Sequence, residues 1–187
     1  MLLLLKANAE NLERTLRFSN DIKKPIIFPS DTIYGIGASI YNIEANKFIF
    51  SIKFRNTKKA FPILIGSINQ LKQLVVNISD IQYKIIKKLW PGPYTLIFRA
   101  NKHINNMYTE EGKIALRLPD SDWIINALDK VNTPITATSA NISNTPYIHN
   151  FKHIYKTFKN HIFLYLYSPC EIEKLISQGK NRKLNNK

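Results

Sequence analysis

Cys170 is the only cysteine among 187 residues. One thiol cannot form an intrachain disulfide or a thiolate metal cluster, so burial and hydrogen bonding must hold this chain together. Glycine is scarce as well: none of the six glycines falls in a G-x-x-x-x-G-K-[ST] or G-x-G-x-x-G pattern. The two common backbone cradles for phosphate are therefore missing, and any bound nucleotide must be held largely by side chains. Long apolar runs are lacking too. Met1-Leu2-Leu3-Leu4-Leu5 is ended by Lys6, Asn8 and Glu10 before the apolar core of a signal peptide could form, and no later run could span a bilayer. The expectation is a cytoplasmic protein with no membrane association.

Acidic residues are the last shortage: 13 stand against 27 Lys and Arg, a formal net charge of +14. Such a surplus raises the local concentration of polyanions, whether nucleotide, RNA or an acidic membrane. Lys, Asn and Ile are abundant along the whole chain, so compositional drift accounts for the same charge, and both readings stay open. What the chain does have is apolar residues, at 44%, of which aromatics make up 11% of the sequence. At this length they supply one core, so a single domain over residues 1–187 is expected. Residues 178–187 are polar, basic and Asn-rich, and read as a flexible tail or, alternatively, an arm touching tRNA.

Periodicity places the elements. Asn8 can cap a helix carrying Leu12 and Leu16, Pro25 to Phe28 reads as a buried strand, and residues 30–37 read as a polar, Gly-punctuated turn. Residues 43–52 and 68–76 have helical spacing, Ile63 to Ile65 reads as a strand, and Ser79 can cap a helix reaching Leu89, where Trp90-Pro91-Gly92-Pro93 stops it. Strands follow at Thr95–Phe98 and Ile114–Leu118, a helix opened by Ser121-Asp122, a strand at Ile135–Thr138, a helix at Phe151–Phe158 and a strand at Ile162–Tyr167. This alternation predicts an α/β domain whose mixed or mainly parallel sheet is covered by helices.

Chemistry concentrates in a few places. Lys53, Arg55 and Lys59 can converge on a triphosphate, Arg as a planar fork and each Lys as a point charge; taken alone, the segment is better read as a solvated helix end, as charge runs usually are. Two loops that follow apolar strands, Ser30 to Gly37 and Thr138 to Ser143, carry small polar residues where open α/β sheets place ligands. Arg117 ends an apolar strand and needs an anionic partner if buried, either a structural carboxylate or that of a substrate. Trp90 reads as a packed indole in a rigid turn rather than a base-stacking platform, and Thr95 is not excluded from the pocket. His149 and His153 have the spacing of a helical metal pair, but no further ligand completes a site, so no protein-bound metal is expected. Ser139 lacks a G-x-S-x-G elbow, so covalent catalysis is not expected either.

Taken in order, these segments resemble the YrdC-like family. Phe28-Pro29-Ser30-Asp31-Thr32-Ile33-Tyr34-Gly35-Ile36-Gly37 is similar to its P-T-[DE]-[TA]-[VI]-[YF]-G-[LIV]-G signature, and Lys53-x-Arg55-x-x-x-Lys59 to its K-x-R-P-x-x-K element. Trp90-Pro91-Gly92-Pro93-Tyr94-Thr95, Arg117-x-Pro119 and Ser139-Ala140-Asn141-x-Ser143 match W-P-G-P-x-T, R-x-P and S-A-N-x-S. Ser30, Asn56, Ala60 and Asn144 depart from the family's usual residues. Its pocket-closing segment is echoed only by Ser168-Pro169-Cys170-Glu171-Ile172 and Gln178-Gly179, and the expectation is the short form of the family, without the extra C-terminal domain of its longer members.

The resemblance implies a single twisted mixed sheet flanked by helices, with a concave basic face. It implies that L-threonine and bicarbonate form N-carboxythreonine, which attacks the α-phosphate of ATP carrying Mg²⁺, giving threonylcarbamoyl-AMP and pyrophosphate. A partner transferase machinery then modifies the adenosine beside the tRNA anticodon. By the same resemblance Lys53, Arg55 and Lys59 would meet ATP phosphates, Asn141 would bind ATP, and Thr32, Arg117 and Ser139 would bind threonine, Arg117 through its carboxylate. Two other readings use the same residues: a non-catalytic RNA-binding module on the basic face, with weak tRNA binding, and a carbamoyl-adenylate site fed by carbamoyl phosphate.

Overall fold

The computed structural model describes residues 2–57, 59–148 and 150–168. The leucine run, which suggested no element, forms β1 (Leu3–Lys6), and α1 (Ala9–Ile22) follows, its first turn capped by the Asn8 side chain. Then come β2 (Ile26–Pro29), β3 (Tyr34–Gly37), α2 (Ile43–Lys53), β4 (Ile63–Leu64), α3 (Ile68–Leu74) and α4 (Asp80–Leu89). The second half holds β5 (Leu96–Arg99), β6 (Thr109–Glu110), β7 (Lys113–Arg117), α5 (Asp122–Lys130), β8 (Ile135–Thr136), β9 (Thr138–Ser139), α6 (Phe151–Phe158) and β10 (Leu164–Tyr167). Helix starts follow sequence signals closely: Ser79 and Gln82 form a reciprocal capping box at α4.

The mixed α/β class holds, with the expected sheet distributed over two five-stranded sheets. One runs β1-β10-β2-β3-β9; the other runs β5-β7-β4-β8, with β6 pairing β7. They meet along one line. Beyond β3, Ser39 bridges Ile135, and the Thr136 N–H donates to the Ala38 carbonyl at 2.8 Å. The strand expected over 135–138 is broken at Ala137 into two short ones, β8 paired with β4 and β9 paired with β3; the Ala137 N–H donates to the Pro62 carbonyl, in line with the β4 register.

Tyr34–Gly37, expected as part of a turn, is a buried strand antiparallel to β2, and the turn shrinks to residues 30–33. The Ser30 hydroxyl closes it, accepting from the N–H groups of Thr32 and Ile33 and donating to the Ile33 carbonyl. The two glycines that suggested a turn serve close approach instead. A Cβ on Gly37 would lie 1.8 Å from the Thr136 carbonyl oxygen, so only glycine lets the two sheets meet there.

Alternation along the strands divides the core. Ile26, Phe28, Leu164 and Leu166 pack with Leu12 and Leu16 of α1 and Ile124 and Leu128 of α5 on one side. Ile27, Ile36, Ile63, Ile114 and Leu116 face the other, under α2, α3 and α6. On β7 the partners of that alternation, Lys113, Ala115 and Arg117, are not buried, and Ile97 beside them is 67% exposed. At its Arg117 end this uncovered stretch borders a small cleft that also touches Pro62, Leu64 and Ala137.

Candidate active site

The basic segment begins where α2 ends. Phe54 takes a left-handed conformation (φ 50°), and the Arg55 N–H returns to the Phe50 carbonyl, which turns the chain sharply off the helix axis. Lys53, the last helical residue, is 1% exposed. Its ammonium donates to the backbone carbonyls of Ser139 and Asn141, while its own carbonyl accepts the Ser143 N–H at 2.9 Å. Burial, and then the neighbouring Arg55 charge, push the Lys53 ammonium down to about 8.

Arg55 is half-buried. Its guanidinium donates to the carbonyls of Ala60 (3.0 Å) and Lys59 (3.4 Å) and lies 5.1 Å from the Phe61 ring centroid, and burial lowers its pKa. Lys59 is exposed. Among the described residues none of the three cations forms an ion pair. They line a cleft of about 350 Å³ whose opposite wall is Thr138, Ser139, Asn141, Ser143 and Asn144. That wall is tightly tied: Ser139 Oγ donates to Asn141 Oδ1 at 2.5 Å, and Asn141 Nδ2 donates to the Thr145 carbonyl at 2.7 Å. Asn144 stands at φ 63°, a conformation asparagine tolerates where the family motif has glycine.

A second cleft, of about 130 Å³, lies beside the first and shares Thr138 and Ser139 with it. Thr32, Thr95 and Arg117 supply its polar lining, with Phe28, Pro62 and Leu64 as apolar wall. The anionic partner that Arg117 needs is Asp31. Arg117 Nη2 donates to Asp31 Oδ2 at 2.5 Å, Nη1 donates to Thr32 Oγ1 at 3.2 Å, and Nε donates to the Gly92 carbonyl at 2.9 Å. The side chains of this ion pair are only 12% and 9% exposed. Although Asp31 sits at the surface, its carboxylate is turned inward.

The seven sequence-predicted site residues thus come together in two adjoining clefts. Lys53, Arg55, Lys59 and Asn141 belong to the larger, Thr32 and Arg117 to the smaller, and Ser139 to both. Residue-by-residue reading did not assign Thr138, Asn56, Ser143 or Asn144, though Ser143 stood inside a quoted motif. Its hydroxyl is buried with no partner among the described residues while the residue lines the larger cleft. Thr95, signalled only by its place after Trp90-Pro91-Gly92-Pro93, lines the smaller. His149, Cys170 and residues 169–187, including most of the pocket-closing segment and the tail, lie outside the described residues. Within those described, no group of three His, Cys, Asp or Glu residues could hold a metal, and no helix is long and apolar enough to cross a membrane.

Chemically, this arrangement offers unpaired positive charge for a polyanion next to a fixed guanidinium suited to a carboxylate. It would act by positioning and charge.

Known proteins resemble this chain in sequence and fold. The sequence profile of the Sua5/YciO/YrdC family, described as "Telomere recombination", matches residues 22–177. The threonylcarbamoyl-AMP synthase of Pyrococcus abyssi (strain GE5/Orsay) is 31% identical over 160 residues, covering 85% of this chain and 44% of that protein. The enzyme of the same name from Bacillus subtilis (strain 168) is 31% identical over 123 residues, covering 65% and 36%. The chain thus spans less than half the length of either relative. Among solved structures, that of P. abyssi Sua5 complexed with L-threonine superposes with a TM-score of 0.79 at 26% identity, covering 90% of this chain and 50% of the other. E. coli YciO, at 17% identity and a TM-score of 0.77, covers 90% of this chain and 84% of its own, and shows the shared fold.

Proposed function

We propose, from the premise that the chain belongs to the Sua5/YciO/YrdC family, that it condenses L-threonine, bicarbonate and ATP into threonylcarbamoyl-AMP, releasing pyrophosphate and water. One observation carries the reading. The unpaired cations and the Arg117 guanidinium line separate clefts with Ser139 on their common wall, and this reaction needs a triphosphate and an amino acid held side by side.

In this reading the threonine nitrogen adds to the carbon of bicarbonate, water leaves, and an oxygen of the resulting carbamate attacks the α-phosphorus as its bond to the pyrophosphate oxygen breaks. No side-chain nucleophile is needed. Arg117 holds the amino-acid carboxylate, and Thr32 and Ser139 surround the small substrate. Arg55 and Lys59 neutralise charge that moves toward the departing pyrophosphate, and Lys53 backs them from below. Mg²⁺ comes with the nucleotide and supplies further charge neutralisation to its phosphates. The product would feed a transferase that modifies tRNA beside the anticodon, in the cytoplasm.

The names of the curated relatives and the threonine complex of P. abyssi Sua5 support this assignment. Pyrophosphate release by the purified chain tests it. Release should require ATP, Mg²⁺, L-threonine and bicarbonate together and proceed without tRNA. Turnover that ignores threonine, or that depends absolutely on tRNA, would overturn it, and turnover on carbamoyl phosphate alone would replace it with the carbamoyl-adenylate reading.

A further inference from the structure

We propose that Asp31 is the positioning residue of the smaller cleft, holding the Arg117 guanidinium in the plane in which it receives a substrate carboxylate. The inference rests on the reading of that cleft as the threonine site.

Asp31 does not line the cleft; it acts through Arg117. A guanidinium carries five N–H donors, and three of Arg117's are committed, to Gly92, Thr32 and Asp31. One N–H on Nη1 and one on Nη2 remain uncommitted among the described residues, the number that a bidentate carboxylate takes. The three acceptors sit on two different loops, so the plane is fixed at several points rather than hinged about one.

Asp31 is itself anchored. The same oxygen, Oδ2, accepts from Arg117 Nη2 and from the Asp120 backbone N–H at 2.9 Å, which ties the 30–33 turn to the segment leaving β7. The Gly92 N–H meanwhile donates to the Leu118 carbonyl, so the loop that accepts from Nε is held to the same strand end. Without the Asp31 contact, Arg117 would keep only a neutral hydroxyl and a carbonyl as partners, and more of its rotamer freedom would have to be lost on binding.

Charge divides between the clefts in the same way. The Asp31–Arg117 pair is net neutral, whereas Lys53, Arg55 and Lys59 have no carboxylate partner among the described residues. A polyanion is drawn to the larger cleft, and the smaller one recognises a monocarboxylate by geometry rather than by net charge.

Calorimetric titration of the full chain with L-threonine, and separately with ATP, tests this. Asp31→Ala should weaken threonine at least about tenfold, as loss of a charge-assisted hydrogen bond that orders the receptor predicts, and leave ATP affinity within about twofold. Asp31→Asn still offers one oxygen to both Arg117 and Asp120, and should stay within about threefold of wild type for threonine. A role confined to stability would instead shift both ligands together. Wild-type threonine affinity in Asp31→Ala, equal losses for both ligands, or a folded Asp31→Asn that binds threonine more than tenfold worse would each overturn the proposal. If Asp31→Ala does not fold, Asp31→Ser, which also withdraws the oxygen from Arg117, takes its place with the same expected and overturning outcomes. A wild-type chain that binds ATP but no threonine would remove the reading of the cleft and this inference with it.

Discussion

Lys53 and Asn141 lie 88 residues apart in sequence, and the ammonium of the first donates to the backbone carbonyl of the second. The lysine therefore shapes the wall of the larger cleft as well as charging it. A surface lysine could be replaced by alanine within about ±0.5 kcal/mol. At Lys53 the same change empties a buried site and strands two carbonyls, so Lys53→Ala should cost about 2–4 kcal/mol in urea denaturation. Pyrophosphate release should fall with it.

The Lys53 proton gives a pH signature of definite sign. The folded value is about 8 against an ordinary 10.5, so between these limits the unfolded chain binds more proton at this residue than the folded one. Its contribution to stability is fully present above 10.5 and is lost as pH falls through about 8. Ligand binding runs the other way, because the cleft loses a positive charge as pH rises through that value. ATP affinity should decline above pH 8, and nucleotide binding there should take up a proton, visible as a buffer-dependent enthalpy that Lys53→Met abolishes.

Arg55 and Lys59 separate charge from structure. Lys59 is exposed, so Lys59→Ala should leave stability within about 0.5 kcal/mol yet slow pyrophosphate release about tenfold or more. Arg55→Lys keeps the charge but loses the planar fork that spans the Lys59 and Ala60 carbonyls, and should impair turnover to a similar degree. Lys84→Ala, on an exposed face of α4, should change neither quantity.

Gly37→Ala tests the junction of the sheets. Its Cβ would sit 1.8 Å from a backbone oxygen of Thr136 and 3.2 Å from the Phe28 ring, and backbone cannot step aside as a flexible side chain can. A loss of about 3 kcal/mol or more, or failure to fold, is expected from thermal and urea melts.

If Mg²⁺ travels with the nucleotide as proposed, chelation should stop turnover while leaving the melting temperature unchanged; among the described residues no group of three His, Cys, Asp or Glu residues could hold a metal. A melt that collapses on chelation would point to a structural metal held elsewhere in the chain.

The sequence by itself determined the local features and marked out residues that the fold brings together. Caps at Asn8 and Ser79 are i to i+3 contacts and can be read directly from residue type; the ordered motifs likewise named seven residues that line two adjoining clefts. The tertiary structure alone decided what those residues do to one another. Gly35 and Gly37 read as turn formers because glycine marks both turns and close approaches, and only Thr136 and Phe28, distant in sequence or on another strand, show which applies. The strand over 135–138 alternates Ile135 and Ala137 with Thr136 and Thr138, an ordinary strand pattern that does not show where β8, paired with β4, gives way to β9, paired with β3. Lys53 could not be told from a solvated helix end, nor could Asp31 be named as the partner of Arg117, because burial and pairing across 86 to 88 residues are set by how sheets meet and not by neighbours in the chain. Residue type fixes which interactions a side chain can make; the packing of distant segments decides which of them it does make.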